Sequence, residues 1–558
     1  MLIDAEALHE GTELRSDVTV VGAGPAGIVV SLELARRGHD VVLVESGRRQ
    51  FSTEIQRLSD AFHFDPTVHA PMSEATRRQI GGASVIWGGR CIPYDPVDFD
   101  ERPWIAHSSW PVRFEEIQPY FDRASTWFFC GEAKFDIRSL SGVEQTSIVP
   151  GLPDGEVLTS TLERWSLPTN FGKEYFRELR SSRLLRLVYG LTCTEIECDE
   201  SGSRVAEIRG RTLRGKTARL RARVYVLACG GLETTRLLLA SDRVHPGGLG
   251  NQAGLLGRYY MGHISGRIAR VRFSTPPEQT AFAFDRDHDG VYARRRFSFS
   301  REFLHEKRLP NIEASLVNPD IWDPSHGNGV LSFAYLALTA PFVGKHLASE
   351  AIRKAATGSL RERVVWPHIW NMVHDLPTTL KFIATFGYKR FIAWRKIPGF
   401  FVYSAANCYP LHYHAEQVPN PESRVTLSDE RDGVGMRRLR IELRFNRQDV
   451  DGVVRAHRFW DEYLRRHQCG QFEYLADDLE TSVSEQARDG FHQVGTTRMS
   501  GRPEDGVVDP HCKVHGCDGL YVASSSNFVT SGQANPTFMV VAFGLRLVDR
   551  LCTVVLRR

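Results

Sequence analysis

The sequence predicts an α/β chain, α+β overall, that joins a Rossmann-like dinucleotide-binding unit to a domain built on an antiparallel sheet backed by helices. Three observations carry this. A glycine turn, Gly22 to Gly27, sits between an apolar run and a stretch rich in Leu, Ala and Arg. A second apolar run, Val224 to Gly231, is again followed by helix-like sequence. Between 266 and 340, apolar and polar residues alternate with Pro and Gly breaks, the period of a half-buried strand.

In chain order, DVTVV (17–21) predicts a short buried strand, and a helix follows the glycine turn to Arg37. Gly38 stops that helix, and HDVVLVE (39–45) predicts a second strand, which completes one βαβ unit. Residues 204–231 predict strands with tight turns ending in VYVLACGG, and LETTRLLLAS (232–241) predicts a helix. Residues 341–398 are helix-like, basic and aromatic, with Trp366, Trp370, Phe382, Phe386, Tyr388 and Trp394. A helical excursion packed on its neighbouring domain is expected there. A membrane-surface or partner-docking face is the alternative.

At 558 residues the chain is too long for one core, and two to four domains are expected. A hydrophobic share of 42% and a charged share of 25% suit a soluble globular protein. With 70 basic and 67 acidic residues the net charge is +3, too small to imply nucleic acid as partner. Short basic runs such as Arg294–Arg296 are expected to be solvated or salt-bridged. The first fifteen residues carry Asp4, Glu6, Glu10 and Glu13, which does not fit a secretory signal. No window of eighteen uncharged apolar residues occurs, so no membrane span and no membrane association are expected. The ten cysteines form no CxxC, and Cys512 and Cys517 lack a matching pair. Reduced thiols in a cytoplasmic protein are expected, without zinc or disulfides.

Gly22, Gly24 and Gly27 form GxGxxG directly after a strand and before a helix. The first glycine permits the turn, the second admits a pyrophosphate to the backbone, and the third lets helix and strand pack closely. The pyrophosphate then meets free N–H groups at a helix N-terminus. Glu45, eighteen residues past Gly27, can accept hydrogen bonds from both ribose hydroxyls and would repel a 2′-phosphate. This unit alone does not separate NAD from FAD.

Further segments do. They are IGGASVIWGGR (80–90) with SSWPVRFEEIQPYFDRA (108–124), ACGGLETTRLLLAS (228–241) with GLLGRYYMGH (254–263), and FHQVGTTRMS (491–500) with the block 506–551. With GAGPAG they resemble the glucose-methanol-choline (GMC) oxidoreductase family, in order, over roughly half the chain. The middle matches mainly at AEQVPNPESRVTLS (415–428). In detail the chain is most similar to the sugar-oxidising branch, with pyranose 2-oxidases, bacterial sugar dehydrogenase flavoprotein subunits and aminoglycoside 6′-dehydrogenases. Pyranose 2-oxidases carry a flavin-bonded His where this chain has Ile86, so the resemblance implies noncovalent FAD.

The resemblance implies an FAD-binding domain in three parts, 1–105, 151–265 and 481–558. Residues 106–150 are an excursion of the substrate domain, and 266–480 are its body, with a helical insertion at 341–398. It implies His492 as catalytic base and Asn535 as a donor to the substrate oxygen. Asn535–Pro536 also suits a helix start, with Asn as N-cap and the helix Thr537 to Leu551 directed at the flavin. Cofactor contacts are implied for Pro25, Ala26, Ser46 and Arg78 beside the glycine turn. Others are implied for Gly82, Ala83, Ser84, Trp87 and Gly88, for Cys193 at the adenine, and for Cys229, Gly230 and Glu233. Ser525, Asn527, Pro536 and Thr537 complete the set. Gln417, His412, His414 and Asn420 are expected near substrate. His412 and His414 share a strand face, but no third metal ligand is evident, and no metal is expected.

The function implied is oxidation of CH–OH to a carbonyl on a sugar, glycoside or aminocyclitol, including aminoglycoside biosynthesis. The alternatives are a sterol or other alcohol, a flavoprotein subunit passing electrons to a membrane cytochrome, and a catalytically quiet flavoprotein. The acceptor, whether oxygen, a quinone-like dye or a redox protein, is not legible.

Overall fold

The computed structural model describes residues 1–557 except 142–144, 168, 341–343, 348–352 and 354–363. Its first sheet contains β1 (Leu2–Asp4), β2 (Thr12–Val21), β3 (Val41–Glu45), β4 (Leu185–Tyr189), β5 (Thr192–Cys198), β6 (Val205–Arg211) and β7 (Thr217–Leu227). The spatial order is β1-β4-β3-β2-β7-β6-β5. The run from β1 to β7 is parallel, while β7, β6 and β5 form an antiparallel meander. A short strand, Leu520–Val522, adds in parallel to the last residues of β7. Every residue of β3 is buried, as a parallel strand covered on both faces requires.

β2 is ten residues long, twice the predicted run. Its outer half is not apolar. Pairing with β7, from Thr12 opposite Ala218 to Val21 opposite Leu227, extends it. Helix α1 (Pro25–Arg36) follows the glycine turn, and α2 (Gly231–Ala240) follows β7.

The second sheet contains β8 (His263–Phe273), β9 (Ile312–Leu316), β10 (Cys408–Glu416) and β11 (Gly470–Tyr474), all antiparallel, in the order β9-β10-β8-β11. Three helices, α3 (Gly329–Thr339), α4 (Trp366–His374) and α5 (Leu376–Gly387), fall between β9 and β10 in sequence. Helix α6 (Arg447–Arg466) covers the sheet. Its Val453 and Trp460 share one buried cluster with Ile264, Val271, Leu411 and Tyr413. The last helix, α7 (Thr537–Arg550), returns to the first sheet and packs on α1. The first sheet therefore takes β1 to β7 from residues 2–227 and only the short strand Leu520–Val522 from the C-terminal part, with the second sheet between them in sequence.

The predicted excursion at 341–398 lies partly outside the described residues. The described part departs from expectation. α4 and α5 pack one side on α3 and leave large apolar side chains of the other side in solvent. All ten cysteines are free, as expected. No helix among the described residues is long and apolar enough to cross a membrane.

A buried ion pair fixes the segment after the short helix Pro96–Phe99 to the second sheet. Arg102 donates from both terminal nitrogens to Glu416 of β10, each at 2.7 Å, and both side chains are fully buried. Glu416 also accepts from the Asn311 amide at 3.0 Å. Replacing Arg102 by Met strands this carboxylate, an expected loss of about 3–5 kcal/mol. The double variant Arg102→Met/Glu416→Gln should recover part of it, read as denaturant midpoints. Equal losses in both variants would show that the pair is not coupled.

Candidate active site

The cleft begins at the glycine turn. Gly22 adopts φ +104°, and an added Cβ would lie 2.5 Å from the Ala228 carbonyl oxygen, so β2 and β7 come together there only around glycine. An added Cβ on Gly27 would lie 1.8 Å from the Gly22 oxygen, which locks α1 against the turn. Gly24 is the N-cap of α1, and no side chain caps that helix end. Its free N–H groups therefore remain for an anion.

The cleft encloses about 1390 Å³, its open mouth included. Of the sequence-predicted residues, Gly22, Gly24, Pro25, Ala26, Glu45 and Ser46 line it at the turn end. Arg78, Gly82, Ala83, Ser84 and Trp87 line one wall, and Cys193, Cys229, Gly230 and Glu233 another. Ser525, Pro536 and Thr537 close the far end. Glu45 is buried, and its two oxygens accept from the Ala23 and Gly47 amides, each at 2.7 Å. Each oxygen keeps a lone pair for a hydroxyl donor. Burial pushes the Glu45 carboxyl above its ordinary range, against the two amide bonds. Arg78 joins Ser46 (2.9 Å), Ser59 (2.6 Å) and Glu233 (2.6 Å) into one polar wall.

These features fit FAD. Two uncapped helix N-termini, of α1 and α7, meet one elongated cleft. A buried carboxylate, Glu45, lines the same cleft and accepts from the Ala23 amide of the turn. At Gly230, φ +85°, an added Cβ would meet no atom within 4 Å.

Several predicted contacts are placed otherwise. Gly88 is exposed and outside the cleft lining. Asn527 is buried away from it, donating to the Val522 oxygen at 2.7 Å and accepting from Thr497 at 2.9 Å, so it ties the chain to itself. Gln417 is likewise fully committed, accepting from Gly262 (2.8 Å) and donating to Arg444 (2.9 Å). Asn420 accepts from Glu422 within a turn. Asn535 is not the cap of α7. The cap position is Pro536, and the Asn535 side chain turns to His492 instead.

His492 and Asn535 meet although 43 residues separate them. Asn535 Nδ2 lies 2.9 Å from His492 Nε2, and Asn535 Oδ1 accepts from Arg90 at 3.1 Å. That bond from Arg90 assigns the amide: its NH₂ faces the imidazole. Phe491 and Gln493 on one side, and Pro536 and Thr537 on the other, line the cleft, so the pair stands at its far end.

Behind the pair is a residue that sequence reasoning missed. Asp489 Oδ2 lies 3.0 Å from His492 Nδ1 and also accepts from the His263 amide at 2.7 Å. Its Oδ1 accepts from Phe491 (2.8 Å) and His492 (3.3 Å). Burial alone would raise the Asp489 carboxyl, but the His492 and His263 imidazoles outweigh it and hold it well below the aspartate range. The carboxylate fixes the Nδ1–H tautomer of His492 and leaves the Nε2 lone pair toward Asn535. No sequence spacing signals Asp489, which only precedes the histidine by one glycine and one phenylalanine.

Two more imidazoles complete the site. His263 opens β8, and His414 lies across from it on β10, with ring centroids 4.2 Å apart. His414 bonds the Gln533 oxygen at 2.7 Å and His263 the Ser531 oxygen at 3.2 Å. Ring nitrogens of His263, His414 and His492 fall within 4.8 Å of one another, a spacing that can hold a metal ion. The sequence pairing of His414 with His412 is thus replaced by a trio that includes the catalytic-position histidine. His412 stands apart from this trio, and burial with Arg267 and Arg90 pushes it down to about 4. Burial also holds His263 low and His414 well below the ordinary range. Arg90 bridges to Glu163 and Glu313, whose charges outweigh the cost of its burial.

A model of FAD dependent oxidoreductases matches residues 17–299, just over half of the chain, and a model of GMC oxidoreductases matches residues 419–544. The chain belongs to the GMC-type FAD-dependent oxidoreductases. It is 23% identical to 2-methyl-1,2-propanediol dehydrogenase of Mycolicibacterium austroafricanum, over 96% of this chain and 95% of that one. It is 24% identical to 6'''-hydroxyparomomycin C oxidase of Streptomyces lividus, over 97% and 92%. A solved formate oxidase of Aspergillus oryzae RIB40 shares the fold at TM-score 0.51 and 15% identity, covering 97% and 98%. The family recognised from the glycine turn and the C-terminal blocks is thus the family found, and FAD is its cofactor.

Two outcomes test this geometry. Asp489→Asn should turn the His492 ring or its tautomer and slow flavin reduction by roughly 10²–10⁴-fold with FAD retained. A rate within about twofold of wild type would remove Asp489 from its positioning role. Separately, His412 and His457, each pushed to about 4, fold in the neutral form. The unfolded chain binds those protons near the ordinary value of 6.5. Their contribution is therefore whole above that value and lost as pH falls toward 4. The melting temperature should drop between pH 6.5 and 4.5, and less so in His457→Phe. An identical drop in both proteins would assign the loss to other groups.

Proposed function

We propose that the protein oxidises a secondary or primary alcohol on a neutral polyol, sugar or glycoside, with His492 as the base. One observation carries this: His492 Nε2 and Asn535 Nδ2 face each other at 2.9 Å at the end of the cleft, with Asp489 fixed behind the imidazole. Bound FAD, held noncovalently because Ile86 offers no nucleophile, supplies the two-electron acceptor. The chain supplies the rest. The substrate hydroxyl displaces the hydrogen bond between Asn535 Nδ2 and His492 Nε2 and meets both groups in its place. His492 Nε2 takes its proton, and Asp489 stabilises the resulting imidazolium. Asn535 donates to the oxygen as its charge develops, and Arg90 holds that amide in orientation. His263 and His414, kept neutral by burial, add no positive charge that would discourage proton uptake.

The substrate class follows from charge. Arg267, Arg90 and Arg294 lie near His412 together with Glu313. Glu313 is engaged by Arg90 and Arg296, and Glu163 by Arg90 and Arg294. The carboxylates of Glu163 and Glu313 are thus taken up by arginines rather than left for an ammonium group. A neutral polyhydroxylated substrate meets this site at lower cost than a polycationic aminoglycoside. The two relatives are named for a diol and for a hydroxyparomomycin, so both kinds belong in the test.

The experiment is anaerobic mixing of the holoenzyme with polyols, neutral glycosides and aminoglycosides, following loss of flavin absorbance. Neutral polyols or glycosides should bleach the flavin faster, and His492→Ala should retain FAD yet slow bleaching by roughly a hundredfold or more. A faster reaction with aminoglycosides would reject the neutral substrate class. Near-normal bleaching in His492→Ala would reject the base.

A further inference from the structure

Half of the exposed large apolar side chains among the described residues, eleven of 22, lie within residues 364–394. They follow helical spacing. On α4, Trp366, Trp370 and Val373 stand at i, i+4 and i+7, and on α5 Leu376 and Leu380 stand at i and i+4, with Tyr388 just past its end. Phe391, Ile392 and Trp394 extend it into the following turn. Exposure is high, at 79% for Trp366, 65% for Trp370, 72% for Ile392 and 81% for Trp394. The row is not the core side of these helices. His368 and Thr379 are buried against α3, and Phe382 meets Phe333 and Phe400 there. Each helix thus has two apolar sides, one packed and one facing solvent.

Within the segment the charges are mostly of one sign, while Asp285 and Asp287 of a neighbouring strand and turn lie near Lys389 and Arg395. Residues 364–396 contain Lys381, Lys389, Arg390, Arg395 and Lys396 against a single acid, Asp375. Asp375 is turned inward, accepting from the Gly329 amide at 3.3 Å. Lys381 and Lys389 are exposed. Their long stems can lie along apolar surface while the ammonium groups reach outward.

We propose that this face of α4, α5 and the turn after them lies on the surface of an anionic lipid bilayer. Three of the large groups are tryptophans at 65–81% exposure, which suits insertion at the headgroup level. Tryptophan and tyrosine prefer that level because one part of the ring is apolar and the other polar. The exposed Lys381 and Lys389 match the negative surface potential of anionic lipid, and the segment's own acid, Asp375, is withdrawn. The contact is interfacial, since no described helix is long and apolar enough to span. This goes beyond the proposed chemistry and does not depend on it.

The test is sedimentation of the full-length holoenzyme with phosphatidylcholine vesicles, with and without phosphatidylglycerol. The protein should pellet with the phosphatidylglycerol vesicles and less as salt rises. The triple variant Trp366→Ser/Trp370→Ser/Trp394→Ser should bind roughly tenfold more weakly. Lys381→Glu/Lys389→Glu should lose the preference for phosphatidylglycerol. These exposed positions lie outside the active site, so flavin content and bleaching by substrate should match wild type in all variants, which separates this proposal from the catalytic one. The proposal is overturned if the wild type stays in the supernatant, or if the tryptophan variant binds as tightly. It is also overturned if wild type is a dimer that the tryptophan variant breaks and that does not bind vesicles, since a second copy would then cover the face.

Discussion

The buried carboxylate of Asp489 is the constraint on which the active site depends. An aspartate removed from water must be met by donors on both oxygens, or it costs several kcal/mol. Here the donors are the amides of Phe491, His492 and His263 and the ring of His492. Satisfying one charge therefore fixes three things together: the turn that carries the histidine, the first residue of β8, and the imidazole orientation. Rotating the ring away would cost the carboxylate one of its four donors. A base held by its counter-charge keeps its lone pair aimed before any substrate arrives, which is the meaning of preorganisation at this site. The close approach is visible elsewhere too, because an added Cβ on Gly262 would lie 2.6 Å from the Asp489 side chain.

From Asp489 the polar order runs through His492 to Asn535, then to Arg90, and on to Glu163 and Glu313 of the substrate side. This line joins the loops carrying Asp489, His492 and Asn535 to the paired strands of Arg90 and Glu163 and, through Glu313, to β9 of the second sheet. Its members come from regions near residues 90, 163, 313, 490 and 535, so it forms only when the interleaved folding is complete. Glycine serves the opposite end. Around Gly22 and Gly27 the backbones touch where any side chain would clash, which leaves helix N–H groups facing the cleft. One end of the cleft is thus shaped by atoms that are absent, and the other by charges that must be matched.

Much of the first sheet was legible in the sequence because its signals are local. Val41 to Glu45 is a short apolar run after a glycine stop, and it is a strand with every residue buried. The glycine spacing and the C-terminal blocks pointed to the cofactor family. What was illegible required tertiary information. The outer half of β2 is a strand because β7 lies beside it, not because its own residues alternate. Asn535 has the look of a helix cap, yet the imidazole of His492 competes for its amide and wins, since capping by a neighbouring position is replaceable and an oriented base is not. Gln417 and Asn527 are polar residues inside family motifs, and each is used up in holding backbone in place. Asp489, His263 and Arg90 act through contacts between distant segments, which no spacing in one sequence encodes.

The helices α4 and α5 show the same limit from the other side. Their aromatic content suggested a packed excursion, and the helical period is real, but periodicity tells only that a face is apolar and not what covers it. The packed side follows the ordinary rule, with Phe382 and His368 against α3 and its neighbours. The other side carries tryptophans at 65–81% exposure, with Lys381 and Lys389 exposed in the same segment and Arg390, Arg395 and Lys396 bonded to backbone carbonyls. A chain of this length has ample interior to bury such residues, so hydrophobicity alone does not account for their position. Charge selection does: a face meant for an unspecified apolar partner has no need to exclude acids, whereas a face against anionic headgroups does. Docking there changes where the enzyme works and which partner it meets in two dimensions. The proton chemistry, set by Asp489 and His492 behind a closed line of ion pairs, is left as it is.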